Sequence, residues 1–369
     1  MIADVYNPYL GGNVNDKDKT YKDNYISIAK AIGILLMVAG HAGCSNFVCR
    51  YIYMFHMPLF FFCSGYFLKQ PTTIEHLGRF AKNRLSGLYL PYVKWSVIFL
   101  LFHNIFYEIG IYSSADSQRY TMLEFGRRLL HILTSMNGHE SLLDPFWFLK
   151  QLFLSSLIVY ILLYLFCRLA LWYRLILISF IVLVLSIVFK YYQIGLPIIW
   201  DLSIVFLSAV FFLMGHIYRN VEKTDYYKWY TVFFPAILLA LVVWFYDDSL
   251  DMLWYDYKSI LLYVFSAPLG ILLTFCISFY LEKTAVRGVL YYIGSHTMPI
   301  LVFHLLAFKI ISYLRIQWYD LPIEMLACNK ALYLHNSLFF IILYCLAGVI
   351  IPLLVDYLFR FCKKKVYSS

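Results

Sequence analysis

From residue 26 to residue 361 the chain alternates between long apolar runs and short polar connections. A hydrocarbon core about 30 Å thick needs roughly 17 to 25 apolar residues per crossing helix. Ten runs meet that length: 26–46, 47–68, 88–110, 146–169, 174–192, 201–219, 228–246, 259–280, 294–314 and 336–361. The expected fold class is all-α, a polytopic transmembrane helix bundle of about ten helices. A polar tail over 1–25 precedes a single membrane-embedded domain over 26–361, and a basic tail over 362–369 follows it. Residues 1–24 lack the apolar core of a cleavable signal, so the first apolar helix is expected to direct insertion. The longest polar stretch, 111–145, holds an amphipathic segment at 121–135, where Leu123, Phe125, Leu129, Leu130, Ile132 and Leu133 can lie against a membrane surface. No internal repeat is visible.

Composition sharpens this picture. The 369 residues are 62% hydrophobic and 14% charged, against about 25% charged in an average soluble domain, and the mean hydropathy is +0.71. An even number of crossings puts both termini on one side, and the positive-inside rule says which. With both ends cytoplasmic, inner segments hold eighteen Lys and Arg and outer segments eight. The net charge of +9 is therefore inner-face bias and gives no reason to invoke nucleic acid. The eight cysteines scatter along the chain. Cys44 and Cys49 fall near enough to bridge at a helix connection, or act as small buried residues like the others.

Several residues sit badly with lipid. In "YISIAKAIGILLMVAGHAG", Lys30 and His41 are eleven positions apart, three helical turns plus about 20°, so they share a face roughly 16 Å apart along the axis. One reading places both at interfaces, with Lys30 snorkelling inward; the other points both into a cavity. The next run, "FHMPLFFFCSGYF", carries His56, Pro58, Ser64 and Gly65. Pro58 removes a donor and frees the Met54 carbonyl, kinking the helix. Gly65 lets a backbone or a ligand approach closely, and Ser64–Gly65 equally suits a helix-packing notch. His56 is expected to face a polar cavity shared with His41.

Weaker candidates lie further on. Trp147 and Gln151 share a helix face, suited to holding a sugar or to an interfacial aromatic belt. His304 lies eight residues after His296, deep in its run, where it can line a cavity. Lys309 and Asp356 can pair within the bundle, and His216 suits the inner interface. No HExxH, CxxC or clustered His–carboxylate spacing appears, so no metal site is expected.

A basic residue, ten residues and then His in the first helix, followed by "FHMPLFFFCSGYF", a basic loop at 69–87 and "LYLPYVKW", resembles the acyltransferase family 3 of integral membrane acyltransferases. Lys at position 30 and "LPYVKW" look most like the branch of fucose 4-O-acetylase and other bacterial surface-sugar acetylases. "DPFWFLKQLF", "FFLMGHIYR" and "IGSHTMPILVFHLL" extend the likeness over nearly the whole chain. The resemblance implies ten core helices, a bacterial inner-membrane location, acetyl-CoA arriving from the cytoplasm as donor substrate with no permanently bound cofactor, and a glycan hydroxyl as acceptor. It makes His41 the catalytic histidine and Lys30 its basic partner. Many members carry Asp where this chain has Ser27, and a second basic pair where it has Ser86 and Gly87.

Acyl transfer to a hydroxyl needs a base for the alcohol proton and a seat for the carrier. His41 suits the base, with Asp201 or His56 to orient it, and Arg84 with Lys82 suits the donor's phosphates. A proton-coupled transporter or flippase of a polysaccharide precursor is the competing class, since intramembrane titratable groups serve either. The absence of repeat halves and of paired interrupted helices favours the enzyme. The inside–outside assignment is directly checkable. Cysteines placed at Ser369 and at Ser114 should label from opposite faces of the membrane, and labelling from one face would refute the topology.

Overall fold

The computed structural model describes residues 16–112, 118–193, 202–221, 227–228, 230–246, 248, 250–254, 259–332, 334 and 337–367. All regular structure among them is helical. The elements are α1 (Asp16–His41), α2 (Asn46–Tyr53), α3 (His56–Tyr66), α4 (Ile74–Arg84), α5 (Leu90–Glu108), α6 (Met122–Ser135), α7 (Trp147–Leu165), α8 (Leu171–Tyr191), α9 (Leu202–Val221), α10 (Tyr230–Phe245), α11 (Ile260–Leu281), α12 (Arg287–Ser295), α13 (Thr297–Tyr319) and α14 (Leu338–Tyr367). Eight helical stretches among the described residues are long and apolar enough to cross a membrane, and the shorter apolar helices Tyr25–His41 and Tyr230–Phe245 fall on the first and seventh expected runs.

Four local expectations change. The second run is two helices, α2 and α3, that meet at Met54–Phe55, and Pro58 lies in the first turn of α3. There its missing N–H costs no ladder bond, because the first four amides of a helix have no partner within it. The basic loop at 69–87 is largely α4, which joins α5 through one π-helical turn, Leu85–Tyr89. Glu75 in the first turn of α4 and Lys82 and Arg84 in its last complement the helix dipole. The basic C-terminal tail continues α14 as far as Tyr367. On α6, Leu123 and Leu130 are exposed as an interfacial helix requires, but Ile132 turns inward and is fully buried. All eight cysteines are thiols, Cys44 and Cys49 included.

The packing falls into two compact units where one continuous domain was expected. One comprises the chain up to Gly33, Asn46–Pro91 and Phe148–Ser295; the other comprises Ile34–Ser45, Tyr92–Trp147 and the chain from His296 onward.

In the first unit, α3 packs on α9 and α9 on α8. The α3–α9 contact is backbone against backbone. A Cβ on Gly65 would lie 1.7 Å from the Phe212 carbonyl oxygen, and one on Gly215 would lie 2.0 Å from that of Phe62. The space expected beside Gly65 for a substrate arm is thus filled by α9, and small residues here serve helix association. A core of Tyr25, Ile26, Ala29, Leu59, Phe62, Ile271 and Phe275 surrounds this contact.

In the second unit, α13 packs along α14. Lys309, Ser312 and Arg315 on α13 are buried, and each makes hydrogen bonds. Lys309 Nζ donates to the carbonyls of Leu326 and Cys328 at 2.8 Å and of Ile111 at 3.4 Å. Arg315 donates to the carbonyls of Leu332 and Leu334, and Ser312 bonds the Tyr344 hydroxyl at 2.9 Å. Lys309 therefore does not pair with Asp356, which instead holds Arg360 at 2.8 Å one turn along α14. Cations buried against main-chain carbonyls clamp the segment between α13 and α14.

If α3 and α9 are held by glycine contacts, Gly65→Ala and Gly215→Ala should each destabilise the protein by about 1–3 kcal/mol, the usual cost of overpacking. Gly288→Ala, where a Cβ meets nothing within 4 Å, should leave the melting temperature unchanged. Thermal unfolding of the three variants in one detergent checks this, and equal melting points would remove the contact from the stability of the bundle.

Candidate active site

α1 ends at His41, inside the second unit, and its carbonyl accepts the amide of Ala331 at 3.1 Å. The His41 ring lies parallel to that of His304, with centroids 5.3 Å apart. His41 Nδ1 stands 3.0 Å from His304 Nε2, and His304 Nδ1 stands 2.9 Å from the carbonyl oxygen of Ile300, one turn back on α13. His304 has no exposed surface.

These contacts assign the protons. A carbonyl oxygen only accepts, so His304 Nδ1 carries a hydrogen. A buried imidazolium would need an anionic partner, and no carboxylate forms an ion pair with His304 among the described residues. His304 is therefore neutral and its Nε2 is an acceptor. His41 Nδ1 must then be the donor, and in a neutral His41 the lone pair stands on Nε2. A main-chain carbonyl thus fixes, through two imidazoles, which nitrogen of His41 is basic.

His56, the expected partner of His41, belongs to the first unit. Its Nδ1 bonds the Ile52 carbonyl at 3.0 Å and its ring packs beside Tyr53 at 5.2 Å between centroids. Asp201, the other expected orienter, lies outside the described residues. The histidine that orients His41 is His304, which the sequence marked only as a cavity residue.

Arg84 and Lys82, the residues expected to meet a donor's phosphates, belong to the first unit. Arg84 Nη1 donates to Ser64 Oγ at 3.2 Å, and its guanidinium lies over the rings of Phe80 and Phe212 at 4.8 and 5.6 Å. Lys82 is exposed on α4. Two arginines that sequence reasoning passed over join the same end of α3. Arg219 donates to the Tyr66 carbonyl at 3.3 Å, and buried Arg174 donates to the side chain of Gln70 while its Nε has no acceptor among the described residues. None of the three forms an ion pair with a carboxylate among the described residues. Three guanidiniums on α4, α8 and α9 with neutral partners make a ready anion site. Their separation in sequence is why spacing could not reveal them. Half-buried Lys30 belongs to the same unit, with its charge acting on Cys63 beside Ser64. On α7, Gln151 is buried with Oε1 accepting no bond among the described residues, and Trp147 is half-buried.

This histidine pair lies within an apolar helical bundle of membrane-spanning length. The sequence model of the acyltransferase 3 family, described as an acyltransferase domain, matches residues 23–357, and the chain belongs to that family. It is a membrane acyltransferase. No curated protein and no solved structure matches it.

The proton assignment has a spectroscopic signature. In protein carrying ¹⁵N-labelled histidine, the resonances of His41 and His304 should each show hydrogen on Nδ1 and a bare Nε2, with the His304 Nε2 signal shifted by an accepted hydrogen bond. A His41 protonated on Nε2 would overturn the assignment.

Proposed function

We propose that the protein transfers an acyl group, in keeping with its likeness to sugar O-acetylases an acetyl group, from cytoplasmic acyl-CoA to a hydroxyl of a cell-surface or lipid-linked glycan at a bacterial inner membrane. The observation that carries this reading is the relay from the Ile300 carbonyl through His304 to His41. The acceptor hydroxyl gives its proton to His41 Nε2 as its oxygen bonds the thioester carbonyl carbon. The C–S bond then breaks, and the departing thiolate takes the proton back from the imidazolium. While His41 carries charge, its Nδ1–H bond to His304 strengthens, so the interaction is worth more in the transition state than before it.

Arg84, Arg174 and Arg219 serve the donor's phosphates. They supply the positive charge that Ser86 and Gly87 do not, and Ser64 holds Arg84 in place. α1 contributes Lys30 to the unit of these arginines and His41 to the other. Lys30 is the basic residue of the motif, adjacent to the end of α3 where the guanidiniums gather.

Rate and affinity separate these roles. His41→Ala should abolish transfer and leave acetyl-CoA binding near wild type, because a base acts on the transition state. His304→Ala should slow turnover by about 10²-fold, within the range for acid–base assistance. Arg84→Ala should instead weaken acetyl-CoA binding by about 1.5–3 kcal/mol, as for hydrogen bonds to charged groups. Titration calorimetry and an acetyl-transfer assay on folded, purified variants provide both readouts; full activity in His41→Ala would sink the mechanism.

A further inference from the structure

The second unit contains a cavity of about 740 Å³ outside the histidine pair, walled by α6, by the segment before it and by the 3-10 turn Ser141–Phe146. Its volume is within the range of small-molecule sites. Its walls are firmly held. Asn104 on α5 clasps Tyr120 through both main-chain groups, at 2.8 and 3.1 Å. The Tyr120 ring is stacked on His103 with centroids 3.3 Å apart and lies 4.3 Å from the Arg128 guanidinium. His103 Nδ1 meets Glu140 Oε2 at 2.7 Å while its Nε2 bonds the Gln118 carbonyl at 3.0 Å. Glu140 is 3% exposed. It lines the cavity with the Tyr120 hydroxyl close to its carboxyl group, and its Oε1 accepts no hydrogen bond of normal length among the described residues. Whichever of Glu140 and His103 holds the proton between them, Oε1 remains an acceptor, and a buried acceptor left empty is costly.

The charges around the cavity are already matched. Glu124 holds Arg128 at 3.0 Å and Arg119 meets Glu108 at 3.4 Å. His103 and Glu140 form a pair of zero net charge, and Asp144 feels the charge of Lys330. Among the described residues both lining arginines have a carboxylate partner, in contrast to the three arginines of the first unit. The lining also carries hydroxyl, imidazole and carboxylate side chains, among them Ser141, His139, which the Tyr92 hydroxyl meets at 3.2 Å, and Asp144, a chemistry that hydrogen-bonds a polyol. A chain of contacts links the cavity wall to the histidine pair. The turn carrying Ser141 and Asp144 packs on α13, the helix of His304, and Ala331, next to Lys330, donates its amide to the His41 carbonyl.

We infer that this cavity is the acceptor subsite, and that it takes an uncharged, hydroxyl-rich sugar ring which donates a hydrogen bond to Glu140 Oε1 and is selected against anionic sugars. The inference rests on the proposed acyl transfer for its biological meaning, but not for its test. The probes are neutral methyl glycosides of common hexoses and of fucose, with the matching methyl uronates of the hexoses, measured against the full-length protein in nanodiscs without acyl-CoA. Saturation-transfer NMR should show a neutral glycoside binding at least tenfold more tightly than its uronate. Glu140→Ala should weaken that binding at least tenfold. Asp144→Arg, a change at an exposed side chain that does not threaten folding, should reduce the discrimination against uronate by a similar factor. The subsite is overturned if no glycoside binds, if uronates bind as well as their neutral partners, or if Asp144→Arg in folded protein leaves the preference intact. Glycoside binding with the expected selectivity in a protein that transfers no acyl group would defeat the proposed function alone. Transfer with unaltered selectivity in Asp144→Arg would defeat the subsite alone.

Discussion

The hydrogen bond from His304 Nδ1 to the Ile300 carbonyl determines the chemistry of its surroundings. A carbonyl inside a helix already accepts the amide four residues on and has a second lone pair to offer. In an apolar bundle that lone pair is the nearest acceptor for a buried side chain. The chain uses the device repeatedly, as His56 on Ile52, Thr274 on Gly270 and Ser278 on Thr274 show. At His304 alone does it propagate to a second histidine, because the other ring nitrogen meets His41. The outcome is a histidine whose tautomer is set by backbone geometry, with no carboxylate in an ion pair with His304 among the described residues.

The two units treat charge in opposite ways, and this gives the bundle its chemical polarity. Around the end of α3, guanidiniums lean on a hydroxyl, a carbonyl and an amide, all neutral, so positive potential is left for an incoming anion. Around Tyr120 every charge has a neighbour of the opposite sign, and what remains is hydrogen-bonding capacity without field. A carrier rich in phosphate and an uncharged hydroxyl compound would each find one of these environments favourable and the other indifferent.

Much of the fold was legible because apolar length is a strong signal in a membrane protein. The ten runs, the amphipathic segment at α6 and the break near Pro58 all correspond to helices or helix junctions. The basic segment 69–87 was misjudged as a loop because it is polar, although Ile74, Leu77 and Phe80 recur at helical spacing and no proline falls in it after Pro71. His41 stood out by its place in a motif, whereas its partner did not: 263 residues separate it from His304, and no local pattern encodes that meeting. His56 looked the better partner only because it is close in sequence. Glu140 and His103 escaped attention for the same reason, each an ordinary residue until the chain brings α5 against the segment that carries Glu140.

The buried cations of α13 bear on catalysis through their effect on position. Lys309 and Arg315 are expensive to bury, yet their acceptors are carbonyls, which could have been left to water at a surface. Their main-chain acceptors include the carbonyls of residues 111, 326, 328, 332 and 334, and the amide of Ala331, in the midst of the clamped segment, satisfies the terminal carbonyl of α1 at His41. A helix end is where side-chain position is least constrained, since its last four carbonyls lack partners within the helix. The clamp removes that freedom at the residue that must stay within about 3 Å of His304. The energy spent on burying two cations is recovered as a base that does not wander.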